Sequence, residues 1–587
     1  MADRSHLTSI RFASALRQSC WYERYTTARL SRDLLAGLTV GLISIPLSMA
    51  LAIAIGLPPQ YGLYTGIVAG LVIALTGGSR LSVSGPTAAF VVVLQPIVAE
   101  FGLGGLLFAS WLAGLILVFL ALVRFGRFIE YIPAAVTQGF ISGIALVLAV
   151  LQVKDFFGLP LDTLPSEILE KIWLLLQSLT LLHWPSLLVG SLTLLMLLAW
   201  PARWTRFPKH LPAVLIGLLS ALLLSWLGYP VATIASEFGF VWPDGQQGTG
   251  IPPMLPQWAL PWQWDLAKGH HLLYADTLRS LFIAACTIAI LGAIESLLSA
   301  VTLDQLTQQH HNSNGELLGQ GLGNLAAPFF GGFAASASLS RSLANYSAGA
   351  TSPIAAVVHA VVLILAILLL APLLNHLPMP AMAALLLLVA WEISGVKRVR
   401  QLFRRGARDE RWVFLVCFSL TVLFDMVLAI SVGIVMAALM FMRQVAAMTR
   451  VTDVSKQRKL IGEHPIPSDW KIIKISGPLF FAAADRVFDE LLEHSQGCRG
   501  LLLYMDAVSV LDDGGLQAML RFIEHANHRH VEVLVADLQF QPLKTLVRAQ
   551  VQPVAGRLAF FSQFNEALQH IRGMSNNAAT QTLKDTI

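Results

Sequence analysis

The sequence predicts a polytopic α-helical membrane protein with a separate α/β domain at its C-terminal end. Three observations predict it. Hydrophobic residues make up 55% of the 587 positions and charged residues only 13%, about half the charge of an ordinary soluble protein. The charge is uneven: residues 33–446 carry 37 charged side chains in 414 positions, and residues 447–587 carry 30 in 141. Residues 467–572 alternate strand and helix signals. This composition excludes a disordered or collagen-like chain.

The predicted organisation is an N-terminal arm (1–32), a membrane domain (33–446), a linker (447–466), an α/β domain (467–572) and a disordered polar tail (573–587). The arm is polar, with six arginines. It lacks a short apolar segment ending in a small-residue cleavage site, so no cleaved signal peptide is expected. The net charge of +5 is better explained by basic loops than by nucleic acid, which is not an expected partner. Cys20, Cys286, Cys417 and Cys498 lie far apart and show no metal-ligand or disulfide spacing.

Residues 34–79, 81–99, 101–123, 131–153, 317–340 and 342–391 contain no Asp, Glu, Lys or Arg. One span needs about 20 apolar residues, so the first stretch holds two, divided at Gly56-Leu57-Pro58-Pro59. Breaks at Gly, Pro and charge place fourteen segments. They lie near 34–54, 61–76, 86–99, 103–123, 133–151, 185–200, 211–228, 276–301, 317–330, 340–350, 353–372, 380–392, 411–424 and 427–446. Several are too short to cross alone. Segment 166–182 is amphipathic and suits the interface.

With the arm inside, loops after even-numbered spans should be basic. Arg124 and Arg127 follow the fourth span, Arg203, Arg206 and Lys209 the sixth, and Lys397 to Arg411 the twelfth. The loop 229–275 is expected outside and the C-terminal domain in the cytoplasm.

Residues 77–87 (GGSRLSVSGPT) and 331–341 (GGFAASASLSR) match at an offset of 254 residues. Ser82 pairs with Ser336, Ser84 with Ser338 and Thr87 with Arg341. Each segment precedes a short apolar one. The physical reading is two broken helices from inverted halves, whose N-termini meet near the midplane and offer unpaired N–H groups to an anion. The competing reading is a chance likeness of Gly/Ser-rich turns.

Intramembrane charge is the second pointer. Glu295 lies well within the eighth segment and Arg341 begins the tenth. A charge at bilayer depth costs at least about 3 kcal/mol and is tolerated beside a cavity or a partner. A purely structural Glu–Arg pair is the alternative. Asp425 and Glu392 read as structural, His359 as a satisfied packing histidine, and His310 and His311 as loop residues without a metal.

These residues resemble a known family. GGSRLSVSGPTAAF, ASLSRSLANYSAGATSP and LFDMVLAISVGI, followed by a soluble domain, are similar to the SulP anion transporters, which include sulfate and bicarbonate carriers and, distantly, prestin. The likeness is strongest to the DauA-type C4-dicarboxylate transporter, through VSGPTAAFVV, LGAIESLL, GQGLGNLAAPFFGG and GPLFFAAAD. The resemblance implies fourteen segments in two inverted repeats of seven, a core domain carrying the third and tenth half-helices, and a gate domain of spans 5–7 and 12–14. It places substrate between Ser84, Gly85 and Thr87 on one side and Ser338, Leu339, Ser340 and Arg341 on the other, with Ser48 lining the pocket. Glu295 and Ser299 match the sodium-binding positions of bicarbonate-transporting members. Glu in place of their Asp favours a proton over sodium, and no other cofactor is implied.

The α/β domain resembles the STAS domain. Strands are expected at 471–476, 501–506 and 531–537, with helices at 482–494, 514–527 and 541–550. The loop Leu511-Asp512-Asp513-Gly514-Gly515 lacks the hydroxyl of the usual phospho-switch, and Asp513 reads as a helix N-cap. The domain is expected to regulate or dock the transporter, with a cytoplasmic regulatory protein as a partner and homodimerisation as the family habit. The expected function is proton-coupled uptake of a C4-dicarboxylate across a bacterial inner membrane. Bicarbonate or sulfate transport and an anion channel are the alternatives. A membrane sensor with the STAS domain as output is a further class. No nucleophile–base set or phosphate loop points to an enzyme.

Overall fold

The computed structural model describes residues 12–584 apart from 127–132, 162–163, 166, 201–207, 243–245, 273, 425 and 462–465. Asp425, and the part of the basic loop after the sixth segment that holds Arg203 and Arg206, therefore lie outside the described residues. The chain forms two compact units, Met1–Ile434 and Val435–Ile587.

Each of the fourteen apolar segments falls on helix. The third and fourth form one run, Ala88–Leu122, interrupted at Gly102, whose φ of 70° is a backbone that glycine adopts most readily. Seven described helices are individually long and apolar enough to cross a membrane. An eighth is gained if Ile168–Leu181 and Trp184–Ala199, bent by 112°, count as one broken span. Gln60–Thr76 and His210–Trp226 are shorter apolar helices. Leu339–Ser347, at 9 residues, reaches about 14 Å. The amphipathic segment forms Ile168–Ser178, which buries Ile168, Lys171, Leu175 and Ser178 and exposes Leu169, Trp173 and Leu176.

The helices pack in matched pairs. Thr27–Ala54 lies on Ile354–Leu365, and Ala275–Thr307 lies on Ala88–Leu122. Gln60–Thr76 meets Ile354–Leu365, and Ser313–Ala326 meets Ala88–Leu122. The repeat relates Thr27–Ala54 to Ala275–Thr307, Gln60–Thr76 to Ser313–Ala326 and the second half of Ala88–Leu122 to Ile354–Leu365, so it carries one contact of each set onto the other. A second bundle joins Ala134–Phe157 to Arg408–Leu423 and Met379–Ser394 to Trp184–Ala199.

In the second unit the sheet runs, in order, Arg450–Asp453, Trp470–Ser476, Gly500–Ala507, Glu532–Ala536 and Leu558–Phe561. The first strand is antiparallel to its neighbour and the others pair in parallel. Side chains alternate across it. Ile473, Leu501, Leu503, Val533 and Val535 pack with Val487, Phe488 and Phe522 of the helices on one face. Ile472, Leu502 and Leu534 pack with Phe564, Leu568 and Ile571 on the other. Both faces are covered, so the strands read as nearly continuous apolar runs.

Three expectations are corrected. The segment taken as a linker supplies an edge strand. The helix Phe564–Lys584 runs through most of the tail expected to be disordered; its anchor is the apolar face at Phe564, Leu568 and Ile571, which lies before the tail. The cap of Asp513–His528 is Asp512, which accepts a hydrogen bond from Gly515 N at 2.7 Å, and Asp513 is the first helical residue.

Candidate anion site

The two repeat segments meet. Ser84–Gly85 pairs antiparallel with Ser336–Ala337, with Ser84 opposite Ala337 and Gly85 opposite Ser336. Ser338 N donates to Val83 O at 3.0 Å and extends the ladder. Antiparallel crossing is what an inverted repeat demands of its equivalent segments. Pro86 holds the residue before it out of helix, and helix starts immediately afterwards at Ala88 and at Leu339. Thr87 and Ser338 are the N-caps, yet neither side chain caps its own helix. First-turn N–H groups are thus left for a ligand, and the two hydroxyls are free for other work.

Thr87 Oγ1 lies 2.8 Å from Glu295 Oε2 and 2.9 Å from Ser336 Oγ. Ser336 Oγ lies 2.5 Å from the same Glu295 oxygen. These three oxygens form a closed triangle. Arg341 is 1% exposed and ranks first by size among the fully buried side chains. Its Nη2 donates to Pro86 O at 2.6 Å, while Nε and Nη1 have no partner among the described residues. The guanidinium lies against Gly85, where an added Cβ would stand 2.7 Å from Nη1. Glu295 and Arg341 interact electrostatically, but no ion pair joins them among the described residues. The alternative of a structural Glu–Arg pair is therefore not what forms: the carboxylate is held by the hydroxyls of Thr87 and Ser336, while Arg341 bonds the Pro86 carbonyl.

The remaining expected residues are placed as follows. Ser84 is buried and its Oγ accepts from Gln320 Nε2 at 3.0 Å. Ser338 Oγ and Ser340 Oγ are 3.2 Å apart; Ser340 is exposed and Leu339 half-buried. Ser48 is buried, with no partner for its hydroxyl among the described residues. A Cβ on Gly66 would lie 3.8 Å from Ser48 Oγ and 4.0 Å from Pro86, so Ser48 stands close behind the crossing. Ser299, one turn beyond Glu295, is buried, and its hydroxyl is likewise unpartnered among the described residues.

Sequence reasoning missed the scaffold on Ser313–Ala326. Glu316 accepts from Gly78 N at 3.0 Å and Ser79 N at 2.9 Å. Gln320 binds Glu316 at 2.9 Å as well as Ser84. Asn324 grips Ala335 through both backbone groups, at 2.8 and 2.9 Å. The signal was present: Glu316, Gln320 and Asn324 repeat every four residues, which aligns them on one helix face. His359 is corrected too. It is fully buried, and neither ring nitrogen has a partner among the described residues. His311, expected to be an unremarkable loop residue, bonds Asp304 at 2.7 Å and Ser313 at 3.1 Å.

Two crossed half-helices, open N–H groups and a buried, half-committed arginine are features that suit an anion site between inverted membrane halves. Comparison with known proteins agrees. The profile of the Sulfate permease family matches residues 30–418, and that of the STAS domain matches residues 463–567. "Putative sulfate transporter YvdB" of Bacillus subtilis is 33% identical over 554 residues, covering 94% of this chain and 99% of that protein. "Bicarbonate transporter BicA" of Picosynechococcus sp. is 25% identical over 546 residues, 88% and 90% of the two chains. The solved structure of SLC26A9 covers 98% of this chain and 96% of its own at 18% identity, with a TM-score of 0.78, which speaks to the fold alone. The chain belongs to the sulfate permease (SulP) family and carries a C-terminal STAS domain. It is a multi-span anion transporter, and these relatives are transporters rather than enzymes.

Proposed function

We propose that this chain is a secondary active transporter that takes up a small anion together with a proton, with C4-dicarboxylates such as succinate, fumarate and aspartate as the substrate class. The triangle of Glu295, Thr87 and Ser336 carries the proton reading. Its three short oxygen contacts call for three protons, and the two hydroxyls supply two. A proton on Glu295 supplies the third, so the geometry suits the protonated acid. Arg341 carries the anion reading. Its Nε and Nη1 have no partner among the described residues, so charged N–H donors are left over for an anion.

Protonated Glu295 leaves Arg341 as the uncompensated charge of the site, which favours anion entry. Proton and anion then help each other, and by linkage the help is reciprocal. Such charged N–H donors suit sulfate as well as carboxylate. The names of the relatives support sulfate or bicarbonate as the second reading, with the same residues in the same roles. Sodium, through Glu295 and Ser299, is the alternative coupling ion. The proposed placement is the bacterial inner membrane, with the STAS domain in the cytoplasm as a regulatory or docking module and a homodimer as the assembly.

Purified protein in liposomes, offered labelled succinate, sulfate and bicarbonate under an inward proton gradient, tests this. Gradient-dependent accumulation of succinate supports the reading; accumulation of sulfate or bicarbonate alone replaces the substrate. Flux of any of them that never exceeds equilibrium makes the protein a channel.

A further inference from the structure

A cleft of about 510 Å³ lies in the membrane unit, away from the anion site. One wall is the half-helix that begins at Thr87, through Val92 and Gln95; opposite stand Val147, Leu151 and Leu423 of the second bundle. The interfacial helix closes it with Lys171. Val92 is five residues from Thr87, so the cleft opens roughly 7–8 Å along the helix axis from the crossed N-termini.

Lys171 is the unusual member. Lysine is almost never fully buried unless paired, yet this one is 3% exposed, and no hydrogen bond or ion pair to its Nζ occurs among the described residues. It shares the buried face of its helix with Ile168, Leu175 and Ser178. On an interfacial helix a lysine stem ordinarily reaches for water; here it turns inward, into a cleft walled mainly by apolar side chains. Gln95 adds an amide, and Glu167, on the same rim, is exposed.

We propose that this cleft is a second anion site, on the approach to the crossed half-helices, in which Lys171 and Gln95 hold the transported anion before or after it occupies the Arg341 site. The occupant is a small carboxylate or oxyanion. A largely buried lysine with no counter-ion among the described residues attracts one, and the cleft shares a wall with the half-helix of the anion site. This inference rests on the transport reading above, but its test does not depend on which anion is carried.

In a variant lacking the four native cysteines, a single reporter cysteine replaces Leu423, which is exposed and lines the cleft. The reporter is labelled with anionic sulfonatoethyl and cationic trimethylammonium methanethiosulfonates of similar size. The ratio of the two rates cancels any change in the thiol's own reactivity. Lys171→Gln should lower the anionic-to-cationic ratio by at least roughly threefold at low salt, Lys171→Glu should reverse the preference, and Lys171→Arg should keep it. Millimolar sulfate or succinate should slow labelling in the parent and not in Lys171→Gln. Replacing an unpaired, largely buried charge with an amide removes a destabilising group, so Lys171→Gln, on which the test rests, should fold. A ratio unmoved by Lys171→Gln overturns the proposal. A lost ratio with no anion taken up in the liposome panel leaves the second site standing and rejects the transport reading instead.

Discussion

Gly85→Ala tests the geometry of the anion site most sharply. A Cβ at this position would stand 2.7 Å from Arg341 Nη1 and 3.4 Å from Cζ and Nη2. The guanidinium must retreat by several tenths of an ångström, which stretches or breaks its 2.6 Å bond to Pro86 O. It also draws Nε and Nη1 away from the ligand. A hydrogen bond to a charged group is worth about 1.5–3 kcal/mol, so affinity for the transported anion should fall roughly tenfold to a hundredfold. The assay is equilibrium binding of the labelled anion to purified protein, for Gly85→Ala, Arg341→Ala and the double variant. The backbone at Gly85, with φ of 158°, strains any side chain somewhat, but the part of the alanine's cost that acts through the guanidinium should vanish once Arg341 is gone. Additive losses would refute the reasoning, since residues that act through one contact are not additive. Unchanged affinity in Gly85→Ala would refute it outright.

Arg341→Ala should abolish measurable uptake while the protein still inserts and purifies as a single species, and Arg341→Lys should restore only part, because lysine lacks the planar fork; uptake and size-exclusion profiles check both. A single cysteine at Gly248 should react with an impermeant thiol reagent in intact cells, and one at exposed Gln496 should react only after lysis, or the proposed orientation is inverted. Gln496 is the better reporter because neighbouring Ser495 is only 1% exposed. Glu23 bridges Arg29 at 3.0 Å and Arg80 at 2.7 Å; partial burial opposes its ionisation, yet the two arginines outweigh it and hold its carboxyl below the ordinary value. Its contribution is therefore present above the unfolded-state pKa and lost as pH falls through the lower folded value. With the glutamate 40% exposed the tie is worth at most about 1 kcal/mol, so Glu23→Gln should lose slightly in thermal stability at pH 7 and match the parent at the acid end.

The helices were legible because apolar runs bounded by Gly, Pro and charge leave few alternatives in a membrane. The crossing was legible because Gly-Gly and Ser-x-Ser recur at one offset and start helices at both places. Arg341 and Glu295 stood out as charges in apolar surroundings, but their partners did not. Opposite charges suggest a pair, whereas the carbonyl of Pro86 and the hydroxyl of Ser336 become neighbours only through the antiparallel crossing. Gln320 and Asn324 were overlooked as uncharged residues inside a Gly-rich apolar helix. The edge strand Arg450–Asp453 carries too few apolar residues to announce itself, and it is recognised only by its pairing with Trp470–Ser476.

The central claim is that Glu295 carries the coupled proton. Glu295→Gln fixes the site in a state resembling the protonated one. The most direct measurement compares parent and Glu295→Gln protein in liposomes, recording accumulation of the transported anion under an imposed inward proton gradient and anion exchange without one. The account predicts that Glu295→Gln still binds and exchanges the anion, with affinity equal at pH 5 and pH 8, but does not concentrate it. Gradient-driven accumulation by Glu295→Gln at the parental level would contradict the account and leave Glu295 a structural partner of Thr87 and Ser336.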